Sequence, residues 1–191
     1  MKQLKLLTVT DINEVANPEH DTSISTDSSA LLIFTDFHVY HPFDLSHIAG
    51  AREALNLMQA AHVRMKFVVD DAGMFLGVVS TDDLNEQEIN KRQAFGQAAS
   101  DMTVVDFMRP KSKLKAIEYS DLCEATIAEV MELLKSQGLQ HCLVVDHALN
   151  QIRGVISSSD IARKLRLPVD ISEASDFKRI FQASKQPRIK L

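Results

Sequence analysis

The sequence predicts an α+β fold built from two copies of one helix–strand–strand–helix unit. Three observations carry that expectation. The stretch "GVVSTDDL" at residues 77–84 returns as "GVISSSDI" at residues 154–161: Gly, two β-branched residues, Ser, two small or polar residues, Asp, then Leu or Ile. Ahead of each lies a second short β-branched run, "FVVD" and "LVVD". Ahead of those runs, apolar residues recur at helical spacing, so the whole unit is duplicated.

The first copy spans residues 51–84 and the second 125–161; Val68-Val69-Asp70 aligns with Val144-Val145-Asp146, and Asp83 with Asp160. The second copy gains one residue in the polar segment between its apolar runs, where a loop tolerates insertion. In the first copy Ala54, Leu55, Met58 and Ala61 mark the helix. "FVVD" and "LGVVS" flank "DAGM", whose Asp and Gly favour a turn, so an antiparallel hairpin is expected. In the second copy Val130, Met131 and Leu134 mark the helix and Gly138 ends it. "LVVD" and "GVIS" then pair around "HALNQI". Between the copies, "NEQEINKRQAFGQAASDM" reads as a connecting helix, and "TVVDFM" places Thr103 and Asp106 at capping-box spacing. The expected organisation is a polar, loosely ordered arm over 1–30, a first repeat with its connecting helix over 31–98, a second repeat over 99–168, and a basic tail over 169–191.

A chain of 191 residues can bury a real core, and its 45% hydrophobic and 25% charged shares are those of an ordinary globular protein. A net charge of −5 argues against a dedicated nucleic-acid binder. Cys123 and Cys142 show no metal-type spacing, and so few cysteines fit a reducing compartment. The N-terminal apolar run is too short for a signal peptide, and no run approaches the roughly 18 apolar residues of a membrane span. A cytoplasmic protein is expected.

Taken in order, these residues resemble a tandem pair of CBS domains, the arrangement called a Bateman module. The resemblance rests on the amphipathic helix, "VRMKFVVD" or "LQHCLVVD", the short turn, and Gly-h-h-Ser-x-x-Asp-h (h apolar), all occurring twice within roughly residues 31–165. "TVVDFM" resembles the usual lead-in to such a repeat. Two features depart from the family pattern. Phe67 and Leu143 stand where Pro is common, and the lead-ins "DFHVYHPFDLSHIAGA" and "KAIEYSDLCEAT" are unusual, in a region that often helps hold a ligand's base. The resemblance implies two repeats packed about a pseudo-twofold axis with two clefts between their sheets. It also implies a flat homodimer of such modules, which would bury helix faces such as Leu55/Met58 and Met131/Leu134; spacing leaves open whether those faces go to the core or to the dimer contact.

Ser80-x-x-Asp83 and Ser157-x-x-Asp160 have the form of capping boxes, which explains their spacing without any ligand. A ligand reading uses the same physics. A helix N-terminus just after a strand is an anion site, a Ser hydroxyl there can donate to phosphate, and a carboxylate suits a ribose diol. The resemblance implies that Asp83 and Asp160 hold the ribose, and Ser80 and Ser157 lie by the phosphates, of an adenosine nucleotide (AMP, ADP or ATP). Arg64 and His141 stand near places where the family often carries basic residues; Met65 and Gln140 occupy the complementary ones. Arg is always charged whereas His is partly protonated at neutral pH, so the site carrying Arg64 is favoured if one alone works.

"DFHVYHPFDLSH" holds His38, His41, His47, Asp36 and Asp44, but in no compact zinc pattern, and reads as a polar loop with no metal. No nucleophile elbow, zincin pair, Walker loop or Rossmann fingerprint is present, so no enzyme is expected. "DFKRIFQASKQPRIKL", with Lys178, Arg179, Lys185, Arg188 and Lys190, reads as a solvated tail. The resulting expectation is a non-catalytic regulatory sensor of an adenosine nucleotide, acting as a homodimer on an unknown protein partner. The alternatives are a structural dimerisation or adaptor pair without ligand, and a module binding S-adenosylmethionine.

Overall fold

The computed structural model describes residues 24–167 and residue 184. Most of the expected N-terminal arm, and the basic tail apart from Ser184, lie outside the described residues. In chain order the elements are β1 (Phe34–Asp36), β2 (Asp44–Ser46), α1 (Ala51–Ala60), β3 (Met65–Val69), β4 (Phe75–Ser80), α2 (Glu86–Ala94), β5 (Arg109–Pro110), β6 (Ala116–Glu118), α3 (Tyr119–Glu124), α4 (Ile127–Gln137), β7 (His141–Asp146), β8 (Gln151–Ser157) and α5 (Ser158–Lys164). The fold is α+β, with two four-stranded sheets and the two repeats that the sequence announces.

Local chemistry sets the helix ends. Thr126 caps α4: its Oγ1 accepts the Glu129 N–H at 3.3 Å, while the Glu129 carboxylate accepts the Thr126 N–H at 2.8 Å. Gly138 closes α4 at φ +62°, a left-handed position that suits a residue without Cβ. Asn85 caps α2 through the Glu88 N–H at 3.0 Å, and α2 covers the first part of the expected connecting helix.

The inner faces of α1 (Ala51, Ala54, Leu55, Met58) and α4 (Ile127, Val130, Met131, Leu134) are buried within the chain itself. Leu55/Met58 and Met131/Leu134 are therefore core residues, which decides between the core and a dimer contact, the two places that spacing leaves open. The physical reason is that each lies over the back of its own sheet, beside Val68 and Val79 in the first repeat and Cys142, Val144 and Ile156 in the second. Ala61 falls just beyond α1 and is exposed.

Both hairpins repeat down to an irregularity. β3 and β4 pair Met65 with Ser80 and Phe67 with Val78, with a register shift between Val68 and Val69. β7 and β8 pair His141 with Ser157 and Leu143 with Val155, with the same shift between Val144 and Val145. The sheet orders are β2-β3-β4-β5 and β1-β8-β7-β6. Each repeat thus gives an edge strand to the other: β5, which leads into the second repeat, pairs with β4 of the first, and β1 pairs with β8 of the second.

The glycine heading each repeated motif makes this pairing possible. A Cβ on Gly77 would lie 2.3 Å from the Arg109 carbonyl oxygen, and one on Gly154 2.2 Å from that of Thr35.

The exchange corrects two local expectations. The end of the arm is ordered structure: Ala30 and Ile33 are buried in the second repeat's core, the Ala30 N–H donates to Ala125 O at 2.9 Å, and the Ile127 N–H donates to Ser28 O at 2.9 Å. The stretch read as a polar loop contains β2 and the end of β1, where Asp36 accepts two bonds from Arg153, at 2.8 and 2.7 Å. The arginine's bonds hold the Asp36 carboxyl at about 2, well below its ordinary range. Phe67, Val78 and Leu143 form the core between the two sheets, with Phe37, Met65, Phe75, Leu114, Ile152 and Val155 around them.

Candidate functional site

The two Ser-x-x-Asp turns close on themselves. Asp83 Oδ2 accepts the Ser80 N–H at 2.8 Å and the Ser80 hydroxyl at 2.6 Å, while Ser80 Oγ accepts the Asp83 N–H at 3.2 Å. Asp160 Oδ2 accepts the Ser157 hydroxyl at 2.6 Å, and Ser157 Oγ accepts the Asp160 N–H at 3.0 Å. A serine has one O–H to give, and here each gives it to its own aspartate. In the first repeat a correction follows for the anion-site argument. Ser80 opens a single turn, Asn85 leaves it extended, and α2 begins only afterwards, so no helix N-terminus stands at Ser80.

From β5 to the start of β6 the sequence reads "RPKSKLKA", and this segment forms one wall of a cavity of about 150 Å³ between the sheets. The lining comprises Met65 and Val78 from the first sheet, His141 and Leu143 from the second, Gln137 at the end of α4 and Leu139 just past it, and Arg109, Lys113, Leu114 and Lys115 from the connecting segment. Arg109 Nε lies 3.4 Å from Asp83 Oδ2, which ties the first repeat's turn to the cavity wall. Lys115 Nζ donates to Gln137 Oε1 at 2.7 Å. Lys113 makes no ion pair among the described residues.

Of the six residues singled out in the sequence, His141 lines this cavity and Asp83 borders it through Arg109. Asp160 is engaged by Arg163, one turn along α5. Arg64 precedes β3, and its charge is felt at His141. Burial, then the Arg109 charge, pushes the His141 imidazole down to about 4, with Asp160 opposing, so it is neutral at pH 7.

Arg109, Lys113 and Lys115 were not singled out. The available signal was the basic run "RPKSKLK", which by itself reads as a solvated loop; what makes it a wall is β5 pairing back onto β4. Among the described residues no cluster of His, Cys, Asp and Glu is placed to hold a metal ion.

The CBS domain family matches the chain twice, at residues 46–88 and 122–167. The chain belongs to that family and is a tandem CBS pair. Its fold is similar to that of an uncharacterized conserved protein from Pyrococcus horikoshii (18% identity, TM-score 0.55, covering 76% of this chain and 98% of that one). It is similar also to CBSX2, solved in complex with AMP (21% identity, TM-score 0.51, covering 69% and 90%). A CBS domain protein from Streptococcus pneumoniae is a third such structure (19% identity, TM-score 0.51, covering 71% and 81%). At these identities the likeness is one of fold. No curated protein sequence matches the chain.

Proposed function

We propose that this CBS pair is a non-catalytic regulatory module whose inter-sheet cleft takes an adenosine nucleotide. The observation that carries the reading is the cleft wall: Arg109, Lys113 and Lys115 converge on one cavity whose border holds a carboxylate, Asp83. Cations suit phosphates, and a carboxylate that accepts two bonds suits a ribose diol. Ser80 then acts by orienting Asp83. The same cations disfavour the sulfonium of S-adenosylmethionine, so that alternative loses ground. CBSX2, which shares the fold, is described in complex with AMP.

In this reading the protein works in the cytoplasm. Both cysteines are free, and among the described residues no helix is long and apolar enough to cross a membrane. A homodimer would join through outer residues such as Leu57 and Leu133, exposed at 51% and 42% on equivalent positions of α1 and α4. Ligand binding biases the relation of the two repeats, and an unidentified protein partner reads that bias. This works only if the two arrangements differ in affinity for the ligand.

Thermal unfolding against AMP, ADP, ATP and S-adenosylmethionine tests the proposal. A nucleotide at 100-fold its dissociation constant is expected to add about 2.7 kcal/mol of stability, a rise in Tm of several degrees at this chain length. No shift with any nucleotide would leave the structural adaptor pair as the better reading.

A further inference from the structure

The two sides of the inter-sheet space are equivalent by register and opposite in chemistry. On one side Val78 pairs with Arg109; on the other the matching Val155 pairs with Thr35. Ala116 pairs with Leu143 and Asp44 with Phe67, so Phe43 holds the place of Lys115. Pro110 pairs with Gly77 and Asp36 with Gly154, so Phe37 holds the place of Lys111. His141 and Met65 are likewise equivalent, each opposite the serine of its own turn.

The second side is therefore furnished with rings where the first has cations. The Phe37 ring meets Phe67 edge-on at 5.2 Å, and Phe67 meets Phe75 at 5.8 Å. The Lys66 ammonium is laid over the Phe43 ring at 5.8 Å.

We infer that the chain takes one ligand, not two, in the cleft of Arg109, Lys113, Lys115 and His141, and that this ligand carries two or more phosphoryl groups. The inference rests on the nucleotide reading and sharpens it. A cavity of about 150 Å³ is small beside the roughly 300–1,000 Å³ of sites that enclose whole small ligands, so part of the occupant lies in the open mouth. In that mouth stand Lys113 and Lys115, both exposed, spaced along the segment beyond Arg109. Arg109 is partnered by Asp83, and Lys113 and Lys115 stand at two further places along the seven residues from 109 to 115, so a di- or triphosphate that reaches along the segment meets more of its cations than one phosphoryl group does. His141 is uncharged at neutral pH and adds a neutral hydrogen-bonding group at the cavity wall.

Isothermal titration of the full chain with ATP, ADP, AMP and inorganic triphosphate tests this. The expected result is one site per chain, with affinity falling about tenfold for each phosphoryl group removed. Lys113→Gln combined with Lys115→Gln should weaken ATP and inorganic triphosphate by roughly a hundredfold and AMP far less. Lys91→Gln, the same kind of charge loss on α2, should change nothing. Two sites per chain, or AMP binding as tightly as ATP, would overturn the inference and leave the nucleotide reading standing. Inorganic triphosphate binding as tightly as ATP at one lysine-dependent site would support the cleft assignment and overturn the nucleotide reading. Absence of binding by all four overturns both.

Discussion

Residues 80–83 and 157–160 share a pattern and a hydrogen-bond scheme, yet each carboxylate meets a different arginine. Asp83 faces Arg109, which belongs to another strand and lines the cavity. Asp160 faces Arg163, three residues on in its own short helix. The first pairing ties a turn to the cavity wall; the second lies within one short helix, and Asp160 is felt at the cavity only through its charge on His141. A duplicated motif has thus acquired two electrostatic roles through its neighbours while its own residues barely changed. Asp83 is 23% exposed and Asp160 24%, so burial does not distinguish them.

The comparison breaks most severely at the glycines. Gly154→Ala is expected to cost about 3 kcal/mol or more, because its Cβ would meet the Thr35 carbonyl and the Phe34 ring at 2.4 Å. Gly77→Ala should cost less, since it displaces only the two residues of β5, but it should also weaken nucleotide binding by shifting Arg109. Urea unfolding with a parallel titration reads both, and equal stability losses with intact binding would contradict the assignment.

The equivalent pair His141 and Met65 gives the next effect. In the folded chain the buried imidazole stays neutral down to about 4, whereas the unfolded chain binds its proton near 6.5. Between those pH values the unfolded state holds more protons, so stability falls as pH drops through this window, by up to about 3 kcal/mol. His141→Met, which makes the repeats alike, should flatten that part of the stability curve. An unchanged slope would place the proton uptake elsewhere.

The aspartates separate the roles most directly. Asp83→Ala should lower nucleotide affinity by about ten- to a hundredfold, and Asp160→Ala should leave it intact. Each should lose about 1 kcal/mol of stability from its turn. Equal losses of affinity in both variants would mean that both clefts bind.

The parts of this molecule that sequence reveals are those with periodicity. Val68-Val69 and Val144-Val145, each followed by a turn and a strand that carries Gly77 or Gly154, define hairpins that the structure repeats even to the register shift. Gly138 marks the end of α4. The exchanged edges are silent because β1 has three residues and β5 two, too short for any alternation to register. The cationic wall is silent for the same reason, since its residues become neighbours only through β5. Likewise, spacing shows that Leu55 and Met58 share a face of α1, and only the fold shows that a sheet, not a second chain, covers it.

The segment from Arg109 to Ala116 begins on the outer edge of one sheet and ends on the outer edge of the other. It is laced like a drawstring between two leaves, and the positive charges are knots along it. A pull on any of those knots is therefore borne by an edge strand of each leaf.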